Sequence, residues 1–384
     1  MSHRLLATTA LSVLCAGPAL AQANMPVEVT IGGFFSQFVS YIHQDNVTSA
    51  GVPGNPQAVD VSSDSEIHFN GRAQLANGIT VGFRVELEGN TDSDQIDESY
   101  AFVESRFGRI EIGALNNAAY RMHYDAPEVF SRGWLTADGN LTNNVINPTT
   151  SASLDSTIIG TKNRFFDNDS DKISYYTPRL EGFQVGMSYV PESSQDRNVP
   201  AQESIGYHSG FAVGANFVRT FGEFDVAASF GYFTWQGPPG APDPDAYQTG
   251  LQVGFAGFKI GGSFARIIGG RSGSSGTNSS ASTAGTGANR VDGRAWNLGA
   301  SYTFGPAAVS LTYADGRNDS SPVAGPSFGD DKFTGLSLAG KYSIGPGVSV
   351  EGVLFSTEFN GNGSGGVPDS NTATGAVIGL LMVF

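Results

Sequence analysis

Hydrophobic and polar residues alternate with a period of two along much of this chain, and residues 79–88 show the pattern most clearly. Apolar residues occupy every odd position from Ile79 to Leu87, whereas polar residues or glycine occupy every even position from Thr80 to Glu88. Successive side chains of a β-strand point to opposite faces, so this segment has one apolar face and one charged face. The pattern predicts a strand that separates an apolar environment from water.

The same rhythm recurs in about sixteen segments of roughly 9–12 residues, which is the length that a tilted strand needs to cross a bilayer. The alternation is less regular in the second, fourth and eighth of these segments. The predicted strands lie near 27–42, 65–76, 79–90, 98–107, 109–115, 172–178, 182–190, 207–219, 223–235, 246–256, 258–268, 294–304, 307–316, 332–343, 348–359 and 373–384.

The connections between these segments alternate in length. Short turns are predicted at 77–78, 107–108, 178–182, 220–223, 256–257, 304–306 and 344–347, and longer polar connections at 43–64, 91–97, 116–171, 191–206, 236–245, 269–293, 317–331 and 360–372. A soluble sandwich or propeller is the alternative, but its strands are usually shorter, about 5–6 residues. Short turns at one end and long loops at the other are typical of an outer-membrane barrel. The sequence therefore predicts an all-β fold, a sixteen-stranded antiparallel transmembrane β-barrel.

Residues 1–23 have the pattern of a secretory signal peptide, with a basic start, a short apolar run and cleavage expected after Ala21 or Ala23. A single barrel domain is then expected over 24–384. Removal of the signal peptide would also remove Cys15, the one cysteine of the chain, so no disulfide is expected after export.

The composition supports strands and turns, because the chain contains 51 Gly, 26 Phe and 13 Tyr. Its formal net charge is −15, and loss of residues 1–23, which carry one basic and no acidic residue, gives 20 − 36 = −16. A chain this acidic is not expected to bind nucleic acid. No run of 18 or more apolar residues follows the signal peptide, so no transmembrane helix is predicted.

Several segments match the spelling of chemical motifs without the context that those motifs require. Residues 361–366 fit a dinucleotide-binding glycine pattern and 325–329 fit a nucleophile elbow, but neither lies in a strand–turn–helix unit. Asp167, Asp169 and Asp171 resemble the start of a calcium loop that lacks its Gly and final Glu, and a solvated acidic loop is the alternative. We expect no cofactor and no catalytic residue.

The chain resembles the Gram-negative general porins, in particular the sixteen-stranded trimeric type of proteobacteria. The stretches that carry this resemblance are Val27–Gly33, residues 107–113 before a long loop, Lys172–Pro178 with Gly182-Phe183, and the terminal Phe384. The resemblance implies a water-filled channel in the outer membrane for passive diffusion of ions and small hydrophilic solutes. It also implies a homotrimer surrounded by outer-membrane lipid.

The segment 376–384 resembles the assembly signal of such barrels, which implies recognition by the barrel assembly machinery through Phe384. Alternation places Met382, Leu380 and Ile378 on the same face, towards lipid or another subunit. The other face is also apolar at Val377, Leu381 and Val383, and the alternation leaves that lumen wall unexplained.

The resemblance further implies that loop 116–171 folds into the barrel and narrows the lumen, and loops of this length are usually functional or disordered. This loop contains seven acidic and four basic residues, a net charge of −3. Asp125 and Glu128 lie in the part expected to be tucked inward. They are our first candidates for the acidic side of the constriction.

The wall opposite this loop is expected to be basic. Alternation places Arg72, Arg84, Arg106 and Arg109 on the lumen face, together with Glu66, Glu86, Glu104 and Glu111. Acidic and basic walls that face each other would create a transverse field that favours dipolar solutes. The alternative is that these arginines simply pair with the lumen glutamates.

Three functions remain open from the sequence. A diffusion channel is the first, and its acidic outer loops favour a mild preference for cations at low salt. A porin specific for one sugar or anion would carry a series of lumen aromatics or a lysine cluster, and neither is clear. A barrel hydrolase would need a Ser-His-Asp or Ser-His-Asn set on the outer rim, but His43 and His68 have no evident serine partner.

Overall fold

The computed structural model describes most of the chain beyond residue 26. The described residues are 27–45, 48–49, 52–53, 56–89, 95–131, 133, 135–136, 144–146, 160–162, 169–193, 200–201, 203, 206–239, 243–271, 289–322, 329–360 and 370–384. The predicted signal peptide, with its cleavage sites after Ala21 or Ala23, lies outside the described residues. So do Asp167 and the glycine-rich motif 361–366.

Within the described residues, sixteen antiparallel strands close into one barrel, which confirms the predicted fold class. Each strand pairs with its neighbours along the chain, and β1 closes the sheet by pairing with both β4 and β18. The barrel strands are β1 (Glu28–Asp45), β4 (Val59–Gln74), β5 (Thr80–Glu88), β6 (Ile96–Ser105), β7 (Gly108–Ala114), β8 (Asp171–Tyr176), β9 (Phe183–Glu192), β10 (His208–Phe221), β11 (Phe224–Gln236), β12 (Asp245–Phe255), β13 (Phe258–Arg271), β14 (Asn289–Phe304), β15 (Ala307–Pro322), β16 (Gly329–Gly345), β17 (Val348–Asn360) and β18 (Ser370–Val383). Strands β2 (Thr48–Ser49) and β3 (Val52–Pro53) form a separate ribbon, and a single helical turn, α1 (Ala118–Arg121), follows β7.

The seven short turns predicted from the sequence share one backbone feature, a glycine with a positive φ. These glycines are Gly78 (φ 83°), Gly108 (125°), Gly182 (95°), Gly222 (63°), Gly257 (83°), Gly305 (57°) and Gly347 (70°). Glycine reaches this region without the steric cost of a Cβ, so each chain reversal can be tight. Because neighbouring strands are antiparallel, these turns gather at one end of the barrel and the long connections at the other.

The strands extend further towards the long connections than the alternation predicts. Strand β4 begins at Val59 rather than near 65, β14 begins at Asn289 rather than near 294, and β15 ends at Pro322 rather than near 316. Beyond a bilayer both faces of a strand meet water, so the alternation ends while the backbone hydrogen bonds continue.

The outward face of the barrel is apolar in its middle. Leu298, Leu311 and Leu338 expose about half of their surface, at 52, 52 and 51%. Aromatic rings pair near the short turns, as Phe258 and Tyr302 do with ring centroids 4.1 Å apart. Such a band bordered by aromatic rings suits contact with lipid.

No helix among the described residues has the length and apolar character needed to cross a membrane.

We expect Leu338→Arg to destabilise the barrel by about 2–4 kcal/mol, because this residue faces outward near mid-height, where a charge would meet hydrocarbon. The matched control is Ile344→Arg on the same strand, an equally exposed position beside a short turn, for which the cost is about 0–1 kcal/mol. Reversible urea unfolding from phospholipid vesicles measures both. Equal costs would contradict the assignment of the lipid-facing band.

Candidate functional site

Loop 116–171 leaves the end of β7, and its described residues follow the inner wall of the barrel. It begins with α1, whose N-cap Asn117 accepts a hydrogen bond from the Tyr120 N–H at 3.0 Å.

Five backbone N–H groups of the loop donate to polar side chains of the wall, and the strands involved follow the order of the chain. The bonds run from Ala118 to Ser188 on β9 (2.9 Å), from Tyr124 to Ser229 on β11 (3.0 Å), from Ala126 to Asn297 on β14 (3.0 Å), from Val129 to Ser310 on β15 (3.0 Å) and from Ser131 to Glu351 on β17 (2.8 Å).

Wall amides complete this ladder by donating to loop carbonyl oxygens. Gln248 on β12 donates to the Ala119 oxygen at 2.6 Å, and Gln252 on the same strand donates to the Asp125 oxygen at 2.6 Å. A buried backbone group without a partner is costly, so the polar side chains on this wall are what allow the loop to lie inside.

Inward-facing glycines let the loop come close to the wall, and we call them the glycine belt. A Cβ built on Gly250 would overlap the carbonyl oxygen of Tyr124, and one on Gly214 would overlap that of Ala118. The belt comprises Gly186, Gly214, Gly231, Gly250, Gly299 and Gly335, and a Cβ on each would meet a loop atom within 3.2 Å. Any larger side chain at these positions therefore pushes the loop into the lumen.

An apolar cluster holds the far part of the loop. Phe130, Leu135 and Val145 of the loop are buried against strands β1 and β15–β18, and the rings of Phe130 and Phe38 lie 5.2 Å apart. Val377 belongs to this cluster, which explains one of the three apolar residues that the alternation placed on the inner face without a partner. Leu381 is buried outside the cluster and Val383 is 55% exposed. In this region the loop adds apolar contacts to its hydrogen bonds with Ser310 on β15 and Glu351 on β17.

Asp125 is a mostly buried anchor of the loop, with 11% of its side chain exposed, rather than a residue open to the lumen, which corrects the sequence-based expectation. Its Oδ1 accepts from the Ser263 hydroxyl at 3.0 Å and from the Thr161 hydroxyl, and His123 Nε2 lies 3.1 Å away. Burial alone would raise the pKa of the Asp125 carboxyl, but the charge and hydrogen bond of His123, with further help from Lys162 and Thr161, hold it below its usual value.

Glu128 is the predicted loop acid that reaches open space. Its carboxylate accepts from Ser337 Oγ at 3.0 Å, and from the Leu135 N–H and the Thr136 hydroxyl, both at 3.2 Å. It also borders two cavities, one of about 500 Å³ towards the short turns of β11–β14 and one of about 190 Å³ beside Lys162. Glu128 is therefore both fixed in position and accessible from the lumen.

On the opposite wall, Arg84 lies within a cluster of acidic side chains. It forms an ion pair with Glu86 through Nε, and its Nη2 is 3.0 Å from His68 Nδ1. A guanidinium group can only donate, so Nδ1 accepts and the proton on Nε2 points to Glu66, 2.7 Å away. This is the arginine–glutamate pairing that the sequence left open as the alternative.

A second cluster surrounds Glu111, whose side chain is 1% exposed. Arg109 donates to one of its oxygens at 2.6 Å, and Arg121 of α1 pairs with the other. Arg109 also pairs with Glu104 at 3.3 Å and lies 3.8 Å from the ring centroid of Phe102. Arg121 therefore ties the start of the loop to β7.

The two remaining predicted arginines have different positions. Arg72 is exposed on β4, two residues before its end, and it forms no ion pair with the described residues. Arg106 does not lie on a strand as predicted. It is in the short turn after β6, where it is exposed and its guanidinium stacks 4.6 Å from the Phe107 centroid. The tight turn takes this residue out of the alternation, so it leaves the lumen-facing set.

The wall formed by β4–β7 is acidic rather than basic, and we call it the acidic wall. Three acids that the alternation did not bring into the predicted set lie on this wall. Glu98 accepts from Asn116 of the loop at 3.0 Å, and Glu88 and Asp97 have carboxyl oxygens within 4.8 Å of Glu66. Among the residues that the structure describes there, seven carboxyl groups thus stand against three guanidinium groups, or four with Arg121. The groups are Glu66, Glu86, Glu88, Asp97, Glu98, Glu104 and Glu111 against Arg72, Arg84 and Arg109.

The two described acids of the weak calcium candidate, Asp169 and Asp171, do not share one environment. Asp169 is buried at 1% exposure, whereas Asp171 is exposed at the start of β8, and Asp167 lies outside the described residues. The buried ammonium of Lys172 donates to the Ser170 carbonyl oxygen at 2.6 Å, so a cation already occupies this segment.

The alternation of apolar and polar residues could have identified some of the lumen residues but not others. His68 and Glu98 share the inward parity of Glu66 and Glu104, so stricter use of the alternation would have found them. Lys341 and Glu351, 2.9 Å apart, are register partners across the predicted short turn at 344–347, so the hairpin marks this pair. Their bonds to Ser131 join positions more than 200 residues apart, and no local pattern marks those.

Comparison with known proteins gives a consistent picture. The sequence model of a family described as Gram-negative porin matches residues 7–362. An uncharacterized protein of Rickettsia felis is 24% identical over 227 residues, which are 53% of this chain and 51% of that protein. The outer membrane porin protein 32 of Delftia acidovorans is 25% identical over 284 residues, 68% of this chain and 70% of that protein. The chain spans about half the length of the first curated relatives that it matches.

Solved structures agree on the fold. The anion-selective porin from Comamonas acidovorans has a TM-score of 0.58 at 18% identity, with 94% of this chain and 100% of that chain covered. The trimer form of OmpT from Vibrio cholerae has a TM-score of 0.59 at 12% identity, with 93% and 99% covered. At such identities the likeness concerns the barrel architecture.

The glycine belt can be tested at one position. We expect Gly250→Ala to displace the loop towards the lumen and to change single-channel conductance in planar bilayers by roughly a tenth or more, because the new methyl group and the Tyr124 carbonyl cannot occupy the same space. Gly254→Ala on the same strand and face is the control, since its Cβ would meet its nearest atom at 3.4 Å, an ordinary contact. If both variants conducted like the wild type, the loop would not depend on the belt.

Proposed function

The chain belongs to the Gram-negative porin family, and on that premise we propose that it forms a water-filled channel for passive diffusion of ions and small hydrophilic solutes across the outer membrane. The observation that carries the proposal is a closed barrel in which the described residues of the loop lie along one side of the inner wall and contact the acidic wall at Glu98 and Glu111. A lumen that is narrowed but not filled is what a diffusion channel requires.

The diffusion path runs between the loop and the acidic wall. The described loop residues bind strands from β8 to β18 and also β1, and on β4–β7 they form hydrogen bonds and ion pairs with Glu98 and Glu111 through Asn116 and Arg121. Glu128 then lines the path from the loop side, and Arg84, Arg109 and their glutamate partners line it from the wall. In this proposal the barrel domain is 24–384, and 116–171 is its constriction loop.

The channel prefers cations mildly. Carboxyl groups outnumber guanidinium groups on the acidic wall, Glu128 adds a negative charge from the loop, and the whole chain carries −15. A narrow passage with low-dielectric walls focuses such an excess into a potential that attracts cations. The arginines reduce this potential locally but do not reverse it, because each of Arg84 and Arg109 is matched by at least one glutamate.

Porin family and fold favour a channel over an enzyme on this barrel. The channel specific for one anion is the less supported alternative, since the described residues of the acidic wall include more acids than bases. The porin from Comamonas acidovorans, which has a similar fold, is described as anion-selective, and that description applies to that protein.

Assembly as a homotrimer in outer-membrane lipid is part of the proposal, supported by the trimer form of a protein with the same architecture. Recognition of Phe384 by the barrel assembly machinery stays a prediction. Its backbone is paired with Gly33 on β1 at 3.0 and 3.1 Å while its side chain is 61% exposed, so the ring points away from the sheet that its backbone closes.

Reversal potentials in a potassium chloride gradient test the sign of the selectivity. We expect a cation preference near 0.01 M salt, where the Debye length is about 30 Å, and a weaker preference near 1 M, where it is about 3 Å. An anion preference at low salt would reject the electrostatic argument while leaving the channel itself in place.

Replacement of Arg72 and Arg84 by Gln should raise the potassium-to-chloride permeability ratio by about twofold, because the wall loses two positive charges and Glu86 loses its ion-pair partner. Glu86→Gln should shift the ratio in the opposite direction. Arg219→Gln is the control, since Arg219 pairs with Glu181 on the exposed rim of the short turns, 3.1 Å apart. An unchanged reversal potential in the double variant would show that neither arginine lies at the constriction.

A further inference from the structure

The cavity of about 500 Å³ lies inside the barrel, between the loop and the short turns of β11–β14. Residues 126–129 of the loop form one side of it, and the ends of four strands form the other. Among the described residues that line it, none comes from the acidic wall, on which the proposed selectivity depends. A space of this size admits a small polar molecule, and its lining indicates which kind.

Two oppositely charged residues of the barrel wall face this cavity. Asp225 of β11 and Lys259 of β13 are both register partners of Gly254 on β12, the strand that lies between them. Each shares the inward parity of a serine that binds the loop, Ser229 on β11 and Ser263 on β13. The two charged side chains therefore project into the lumen on the same side of the sheet.

These two charges face each other across the glycine without pairing. With strands about 4.8 Å apart, their Cα atoms are separated by roughly 10 Å. One carboxylate oxygen of Asp225 accepts from the Thr220 hydroxyl at 2.7 Å, and the other lies 3.8 Å from the position that a Cβ on Gly254 would take. Within the part of the chain that the structure describes, Lys259 forms no hydrogen bond or ion pair. An ammonium group thus stands opposite an oriented carboxylate, and the glycine leaves the space between them open.

A second acid gives the cavity a net negative charge. Glu128 of the loop borders it, and Ser301, the register partner of Lys259, adds a hydroxyl group together with Thr303. The lining therefore contains two carboxylates and one ammonium. A ligand of complementary charge carries one carboxylate and two cationic groups.

We propose that this cavity binds a basic α-amino acid, a proposal that rests on the diffusion channel proposed above and names one of its solutes. The α-ammonium group binds Asp225, the α-carboxylate binds Lys259, and the cationic side chain extends towards Glu128. Hydrogen bonds between ionised groups are stronger than those between neutral ones. An acidic amino acid would place a second carboxylate beside Glu128, and this repulsion makes the site selective.

Binding at this site is weak, as transport requires. Exposed ion pairs contribute little each, so we expect a dissociation constant of about 1–10 mM. A channel conducts a solute that binds well enough to enter and loosely enough to leave. The cavity would therefore raise the local concentration of basic amino acids beside the loop without closing the path.

Ligand-observed NMR on the folded barrel in detergent measures the dissociation constants of free arginine and of agmatine, its decarboxylated form. Both carry a guanidinium and an amino group, so the ratio of their affinities reduces the contribution of general attraction to the acidic lumen. Lys259→Gln should lower the affinity for arginine relative to agmatine by about two- to fivefold, the effect of losing one exposed ion pair. Lys259→Arg keeps the charge and should keep the ratio.

The matched control is Lys332→Gln, which removes the same charge from an exposed position on the outer face of β16 and should leave the ratio unchanged. Asp225→Asn should weaken arginine binding by about two- to fivefold, because the α-ammonium group loses its partner. An unchanged ratio in Lys259→Gln would overturn the proposal. So would binding of free glutamate to the wild type as tightly as arginine.

The conductance of the wild type in potassium chloride, measured without amino acid, separates this proposal from the proposed function. A conducting channel whose preference for arginine over agmatine does not depend on Lys259 would reject the site and leave the channel in place. A barrel that binds arginine as expected but does not conduct would reject the diffusion channel instead.

Discussion

Lipid offers no hydrogen-bond partners, and every backbone N–H and C=O within the bilayer must therefore be satisfied by the protein itself. This chain meets the requirement by closing its sheet, with β1 paired on one side to β4 and on the other to β18. Once the sheet has no free edge, the remaining features follow. The outward face can be apolar, the connections at one end can shrink to a few residues around a glycine, and the inward face is free to vary.

The same requirement shapes the interior in another way. A loop placed inside a barrel brings its own backbone groups, and strands β9–β17 satisfy them with serine, asparagine, glutamine and glutamate side chains. Where apolar side chains of β1 and β15–β18 face the loop, it packs Phe130 and Leu135 against them. The inner wall is consequently divided into a part that binds the described loop residues along its length and a part, the acidic wall, that they reach at Glu98 and Glu111.

The alternation of apolar and polar residues was sufficient to predict the strand number, the short turns and the inward parity of Glu66, Glu86 and Arg84, because all three depend on local geometry. It failed where a tight turn, the end of the bilayer or a contact distant in sequence determined the position of a residue. Arg106 follows the tight turn rather than the strand, and the polar extensions of β4 and β14 pair beyond the membrane without alternating. The burial of Asp125 depends on Ser263 and Asn297, and contacts so distant in sequence leave no periodic signal.

The seam of the barrel has a consequence for the order of events in folding. Most strand pairs join neighbours along the chain and can form as hairpins, but the seam joins Phe34 to Val383, 349 positions away. Until that contact forms, the growing sheet has two open edges that invite pairing with other chains, so the incomplete barrel is prone to aggregate. Closure is then a late step, and a cell that makes this protein has to protect the open intermediate while the two edges find each other.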